Sequence, residues 1–361
     1  MHRPVERPVA LRPPACLRRN ERCLKNRWLI VLVAGLVIAP ASCSRVRRGG
    51  SSVVVYVSED QVFAEPILRD FEKETGIAVR TVFDTEEAKS TGVMNRLIAE
   101  KDNPQADVYW ANEPIRAELL KQRGIAARYV SPLAETVPAE FKDPAGYWTG
   151  FSARARVFVV KKGLANGPRS IRDYTDPRWK GRSVIANPLF GTTTAEIAAL
   201  FTTWGDEAGA KFLDDLKKNE VRISTSNGES ADLVASGESE FALVDSDDSH
   251  NRVKQGRAVE EVYPDQKEGG MGTFIVPNAS LLIEGCAHPA EARRLIDYLL
   301  SPATESKLAF ADCAQIPLHP NVETPAHVRR LATLKTMHVD YAEVSRKMQQ
   351  IQPLLKEWTG Y

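Results

Sequence analysis

From Val53 onward the chain alternates short apolar runs with segments of helical periodicity. Val53-Val54-Val55-Tyr56-Val57 is a continuous apolar run of strand length, which predicts a buried strand. Phe63, Ile67 and Phe71 recur every four residues and stop at Gly76, predicting an amphipathic helix closed by a glycine cap. Ile77 to Phe83 predicts the next strand, Val93, Met94, Leu97 and Ile98 a second helix stopped by Asn103-Pro104, and Ala106 to Trp110 a third strand. The order strand, helix, strand, helix, strand is the signature of a doubly wound parallel sheet.

The same grammar returns after a long strand expected at Ala155 to Val160. Strands are expected at Ser183 to Ala186, Val221 to Thr225 and Phe241 to Val244, and helices at Thr194 to Trp204, Asp206 to Lys218 and Glu229 to Ser236. Gly272 to Glu284 reads as an extended run interrupted by Pro277, followed by helices at Pro289 to Leu300 and Thr304 to Ala311. Pro325 to Tyr361 reads as a packing helix pair, and no solenoid-type repeat occurs.

Composition adds a compartment to this picture. The 361 residues are 43% hydrophobic and 26% charged, which suits a globular protein with one or two cores. Residues 1–42 carry eight Lys/Arg against two Asp/Glu, and the uncharged run Trp28 to Ala39 ends at Pro40. At 12 residues that run is short of the ~20 needed to span a bilayer, so the segment reads as an export signal rather than an anchor. Pro40-Ala41-Ser42-Cys43 resembles a lipobox, making Cys43 a candidate lipidated N-terminus, while Ala39-Pro40-Ala41 fits soluble cleavage; lipidation gives the otherwise odd Cys43 a role. Residues 43–52 then act as a tether.

Without residues 1–42 the chain has 40 basic against 45 acidic residues, about −5, which supplies no basic footprint for nucleic acid. Only Cys286 and Cys313 remain in the body, and an oxidising compartment suggests a disulfide between them, with two buried free thiols as the alternative.

In open parallel sheets ligands bind beyond the carboxyl ends of the strands. The loops expected there present Ser58, Thr85, Asn112, Glu113, Asn187, Asn227 and Asp245, together with Gly191-Thr192-Thr193-Thr194 at the start of a helix. This recurrence of hydroxyl, amide and carboxylate groups favours a polar cleft between two α/β units. Free N–H groups and the positive end of a helix make the Gly191 to Thr194 segment an anion site, with Arg154 as a further charge; a plain Thr cap is the other reading.

The stretches Phe71-Glu72-Lys73-Glu74-Thr75-Gly76-Ile77, Ala106 to Glu113, Gly150 to Arg156, Asp176-Pro177-Arg178-Trp179-Lys180-Gly181-Arg182 and His288-Pro289 through Ser301-Pro302 resemble, as a set, the periplasmic ferric-ion-binding family of ABC importer solute-binding proteins. The resemblance covers Val53 to about Pro320. It implies an α/β, two-lobed periplasmic-binding-protein fold of type II, each lobe a mixed sheet flanked by helices, joined by two crossover strands near Phe151 to Val160 and Gly270 to Val276. The corresponding division is residues 53–152 for the first part of lobe 1, 153–270 for lobe 2 and 271–361 for the return to lobe 1 and the C-terminal helices.

The family pattern breaks where the strand Phe241 to Val244 leads, in that family, to two adjacent tyrosines that bind iron. Here those places are Asp247 and Asp248, hard oxygen donors that could hold a cation with Glu113 but do not reproduce a phenolate pair. The resemblance implies a metal ion, iron or another hard cation, with a phosphate or carbonate beside it. A small phosphorylated, phosphonate or zwitterionic solute is the alternative ligand, and a sensing module without an importer the alternative role. The six histidines show no metal-hydrolase spacing and no nucleophile elbow occurs, which argues against an enzyme. The expected partners are a small ligand and an ABC permease with its ATPase. The expected location is the periplasm, as a monomer touching the membrane only through a lipid anchor.

Overall fold

The apolar runs build two connected halves of one mixed sheet in the computed structural model, which describes residues 50–84 and 91–360. The export segment 1–42, Cys43 and Thr85 lie outside the described residues. The first half is built from β1 (Ser52–Val57), α1 (Gln61–Thr75), β2 (Ala78–Phe83), α2 (Thr91–Ala99), β3 (Val108–Ala111), α3 (Pro114–Gln122) and the short β4 (Ala126–Ala127). β1 pairs in parallel with β2 and β3, as the alternation predicts. Val53, Val55 and Val57 pack with Ile67, Leu68 and Phe71 of α1, whose C-terminus is closed by Gly76 at φ 69°.

The second half contains β6 (Ser183–Ala186), α4 (Gly191–Trp204), α5 (Asp206–Lys218), β7 (Arg222–Ser224), α6 (Asn227–Ala235), β8 (Phe241–Asp245), α7 (Ser246–Lys254) and β9 (Val259–Val262). Here β6 is parallel to β7 and β8.

The halves share β5 (Thr149–Lys161), buried along all but its last residue. Its first part runs antiparallel to β10 (Ile275–Ile283), which in turn pairs with β3. Its second part pairs with β8 and β9. The register with β10 slips between Pro277 and Asn278, opposite Ser152, which takes the left-handed φ of 35° as the extra residue of a bulge. The expected crossover at Phe151 to Val160 is therefore a single strand with one bend in it.

After β10 come α8 (Pro289–Leu299), α9 (Pro302–Phe310) and α10 (Tyr341–Thr359). α10 packs against both halves: Ser345 Oγ donates to Ile115 O at 2.8 Å, and Trp358 Nε1 donates to Leu213 O at 2.8 Å. The expected C-terminal helix pair is a correction, because only a three-residue turn at Leu331–Thr333 precedes α10. Apolar spacing of helical period begins only at Tyr341, Val344 and Met348. The proposed Cys286–Cys313 disulfide is also corrected: both are free thiols, with Cys313 buried and its Sγ–H directed to Leu308 O at 3.3 Å. Among the described residues no helix is long and apolar enough to cross a membrane.

Candidate ligand-binding cleft

Strands end and helices begin around one polar cavity of about 170 Å³, lined from the first half by Asp60 and Asn112, from β5 by Arg154, and from the second half by residues of the β6–α4, β7–α6 and β8–α7 junctions. This is the crevice that the ends of parallel strands predict. Helix starts also converge on it. The start of α6 is capped by Ser226, and that of α7 carries Asp247 and Asp248 in its first turn. α4 is different, since its N-cap is Phe190, no side chain caps it, and its first turn holds no acid. The first-turn N–H groups of a 14-residue helix thus meet the cavity with no side chain of their own to satisfy them. Gly191, at φ 60°, supplies the left-handed turn that lets the chain enter the helix there.

Behind α4 lies a buried polar network. Arg156, fully buried on β5, donates from Nη1 to Asp245 Oδ1 at 2.9 Å and to Thr192 Oγ1 at 3.0 Å, and from Nη2 to Thr193 Oγ1 at 3.3 Å. Thr192 donates its hydroxyl to Asp245 Oδ2 at 2.7 Å, and Asn227 Nδ2 donates to Thr192 Oγ1 at 3.0 Å. Burial alone would raise Asp245, yet the guanidinium groups of Arg156 and Arg154 and the Thr192 hydroxyl hold it below the ordinary carboxylate range. The Thr192 and Thr193 hydroxyls, expected to reach an anion, are instead hydrogen-bonded within this network, and Thr194 Oγ1 is buried without a partner.

Arg154 lines the cavity from β5 and is almost fully buried. Its Nη2 donates to Asn112 O, its Nη1 stands 3.8 Å from Asp245 Oδ2, and its buried Nε has no hydrogen-bond partner. Burial opposes its charge, but Glu59, Asp245, Asp247 and Asp60 together raise it further above the ordinary guanidinium value. Two groups of carboxylates bring oxygens within 4.8 Å of one another, Glu59 with Asp60 and Asp247, and Asp245 with Asp247 and Asp248. Asp247 belongs to both. Asp245 is bound to Arg156 and Asp248 stands 3.6 Å from Arg252 Nη1, while Asp60, Asp245, Asp247 and Asp248 all line the cavity.

The expected residues Asn112, Arg154, Asn187, Gly191, Thr192, Thr193, Asn227, Asp245, Asp247 and Asp248 all line the cavity. Three do not. Ser58 is buried between Asp84 and the Tyr109 hydroxyl, at 3.0 and 2.9 Å, and Thr194 is buried inside α4. Glu113, expected as a metal ligand, instead caps α3 by accepting from the N–H groups of Ile115 and Arg116 and pairs with Arg116 Nη1 at 2.7 Å. Asp60, Phe190 and the supporting Arg156 were not among the expected site residues. The one sequence signal for Arg156 is its place two residues beyond Arg154, on the same face of a strand that is otherwise apolar.

The sequence model of the bacterial extracellular solute-binding protein family matches residues 105–343. "Iron uptake protein A1" of Synechocystis is 26% identical over 289 residues, covering 74% of this chain and 76% of its own. Iron-bound HitA from Pseudomonas aeruginosa superposes with a TM-score of 0.76 at 21% identity, covering 84% of this chain and 99% of that one. AfuA from Actinobacillus pleuropneumoniae, solved with fructose-6-phosphate, gives a TM-score of 0.73 at 22% identity and covers 86% and 98%. The fold is the mixed α/β, two-lobed type II periplasmic-binding-protein fold.

Proposed function

The chain belongs to the bacterial extracellular solute-binding proteins, and from that premise we propose that its cleft captures a hard metal ion of the iron type together with a bridging phosphate or carbonate. It is a binding protein of transport rather than an enzyme, serving an ABC permease and its ATPase from the periplasm. The observation that carries the ligand reading is the pairing, in one cavity, of an uncapped helix start with aspartates on two other junctions. The α4 N–H groups and the unpartnered Arg154 Nε would take the anion. Asp247, Asp248 and Asp60 would take the cation, since carboxylates are hard donors suited to hard cations.

The halves of the sheet serve as the two lobes in this reading, with residues 53–152 and 271–361 forming one and 153–270 the other. Closure turns on the bend at Ser152. Radii of gyration from scattering should fall on adding ferric phosphate; superimposable curves at saturation contradict closure. We further propose export with acylation at Cys43 and a monomeric mature protein. An intact mass starting at Ser42 or Met1 contradicts the acylation.

One observation favours a second ligand. No tyrosine lines the cavity among the described residues, and a guanidinium sits amid its carboxylates. A small phosphorylated or phosphonate solute carrying an amine would satisfy both ends as one molecule. Calorimetry with ferric phosphate separates the two: in the metal reading Asp247→Ala abolishes uptake and a chelator strips the wild type. An adduct that survives the chelator, with Asp247→Ala binding ferric phosphate like the wild type, contradicts the metal.

A further inference from the structure

Arg156 does not line the cavity, and its neighbours show what it does. Besides Asp245, Thr192 and Thr193, its Nε lies 3.8 Å from Glu196 Oε2, and neither of those two buried atoms has a hydrogen-bond partner. Thr192 and Glu196 are four residues apart on α4, so one guanidinium faces two successive turns of the helix whose start meets the cleft. The charged groups acting on Glu196 are Arg156 from β5, Asp245 from β8 and Asp265 from the segment after β9, and the Tyr174 hydroxyl lies close by. Asp265 is held by Ser170 Oγ and Ile171 N, and Tyr174 donates to Val184 O and accepts from Leu243 N. Arg156 therefore stands between two acids, with a full hydrogen bond to only one of them.

We propose that Arg156 and Glu196 are a positioning pair through which a single proton sets the anion affinity of the cleft. With Glu196 protonated, Arg156 belongs wholly to Asp245, Thr192 and Thr193, and the α4 start is held in its binding geometry. Loss of the proton draws the guanidinium towards Glu196 and puts a negative charge beneath the anion. Burial pushes the Glu196 carboxyl up to about 7, with Arg156 opposing, which places the change near neutrality. An anion bound at α4 raises that carboxyl further, so binding takes up a proton and tightens as pH falls. The inference rests on the reading of α4 as the anion end.

Sulfate, whose charge is constant between pH 6 and 8, is the probe. The wild-type dissociation constant should rise about tenfold from pH 6 to pH 8, as expected for one extra charge acting through a partly screened interior. Glu196→Gln should bind tightly at both values with a flat profile, and Arg156→Lys should bind weakly at both. Sulfate binding with a flat wild-type profile, or an equal slope in Glu196→Gln, overturns the pair while leaving the anion site standing. No sulfate binding at either pH overturns the anion site and the inference with it. Infrared difference spectra of the ligand-free protein give a second test: a protonated-carboxyl band titrating near neutrality should be lost in Glu196→Gln. Glu261, also pushed up to about 7, is present in both proteins and cancels. Identical bands in both overturn the inference.

Discussion

Two helices begin at the cleft with opposite first turns. α7 opens with Asp247 and Asp248, so its positive end is answered from its own sequence, whereas α4 opens Gly191-Thr192-Thr193 after an uncapping Phe190. The Arg156 network engages the Thr192 and Thr193 hydroxyls, so in the proposed site the N–H groups of the α4 start would meet the ligand. The two helix starts therefore present different chemistry to the cavity. In the proposed site the negative end would be side chains in a helix's first turn, and the positive end backbone supported by a buried network, with Arg154 beside it.

The most forceful way to break the comparison is to remove the support of α4. Arg156→Met leaves Asp245 and Glu196 buried without their cation, and should lower stability by about 3–5 kcal/mol in urea unfolding. Arg154→Met, which leaves Glu59, Asp245 and Asp247 facing one another, should also lower stability, and should in addition lose ligand when the folded variant is titrated. Ligand binding by folded Arg154→Met equal to the wild type would remove Arg154 from the site.

The next test makes the two starts alike. Thr193→Asp gives α4 an acid of its own and should abolish anion binding, measured by calorimetry with sulfate or phosphate. Asp248→Asn at α7 should weaken cation uptake while costing the helix only about 0.3–1 kcal/mol. If Thr193→Asp binds anions like the wild type, the α4 start is not the anion end.

Much of this is legible in the sequence. The alternation from Val53 to Trp110 gives the parallel strands directly, and the rule of strand ends leads to most of the lining. Three things are not. Ser246 to Lys254 is too polar for any apolar period, so a helix reads as an acidic loop. Glu113 lies where a ligand would, but Pro114 at the first helical position makes it a cap, which only backbone geometry reveals. Arg156 looks like a surface charge until β8 and β10 close over both edges of β5, a pairing between residues some ninety or more apart in sequence.

Acid and base sharpen the contrast further. Glu196 holds its proton up to about 7 when folded, against 4.5 ordinarily, so the folded state binds the extra proton and stability falls as pH rises between those values. Glu196→Gln should therefore gain on the wild type from pH 5 to pH 8 in thermal unfolding; a gap that does not widen contradicts the burial of a titrating acid. Asp245 runs the other way. Held below its ordinary value, it contributes stability at neutral pH that is lost as pH falls through the folded value. The smallest effect is expected at the bend, where Ser152→Gly relieves a left-handed φ and removes a buried unpartnered hydroxyl. Its unfolding free energy should stay within about 1 kcal/mol of the wild type, and a larger loss would mean that the Ser152 side chain holds the halves together.

In the proposed function one cavity binds a positive and a negative group at separate ends. Native mass spectrometry of the protein isolated without added metal, for wild type, Asp247→Asn and Arg154→Met, tests it most directly. The expected result is a wild-type adduct, its mass that of a metal with an anion or of one zwitterionic solute, that is lost from both variants. An adduct retained in full by both variants contradicts the claim.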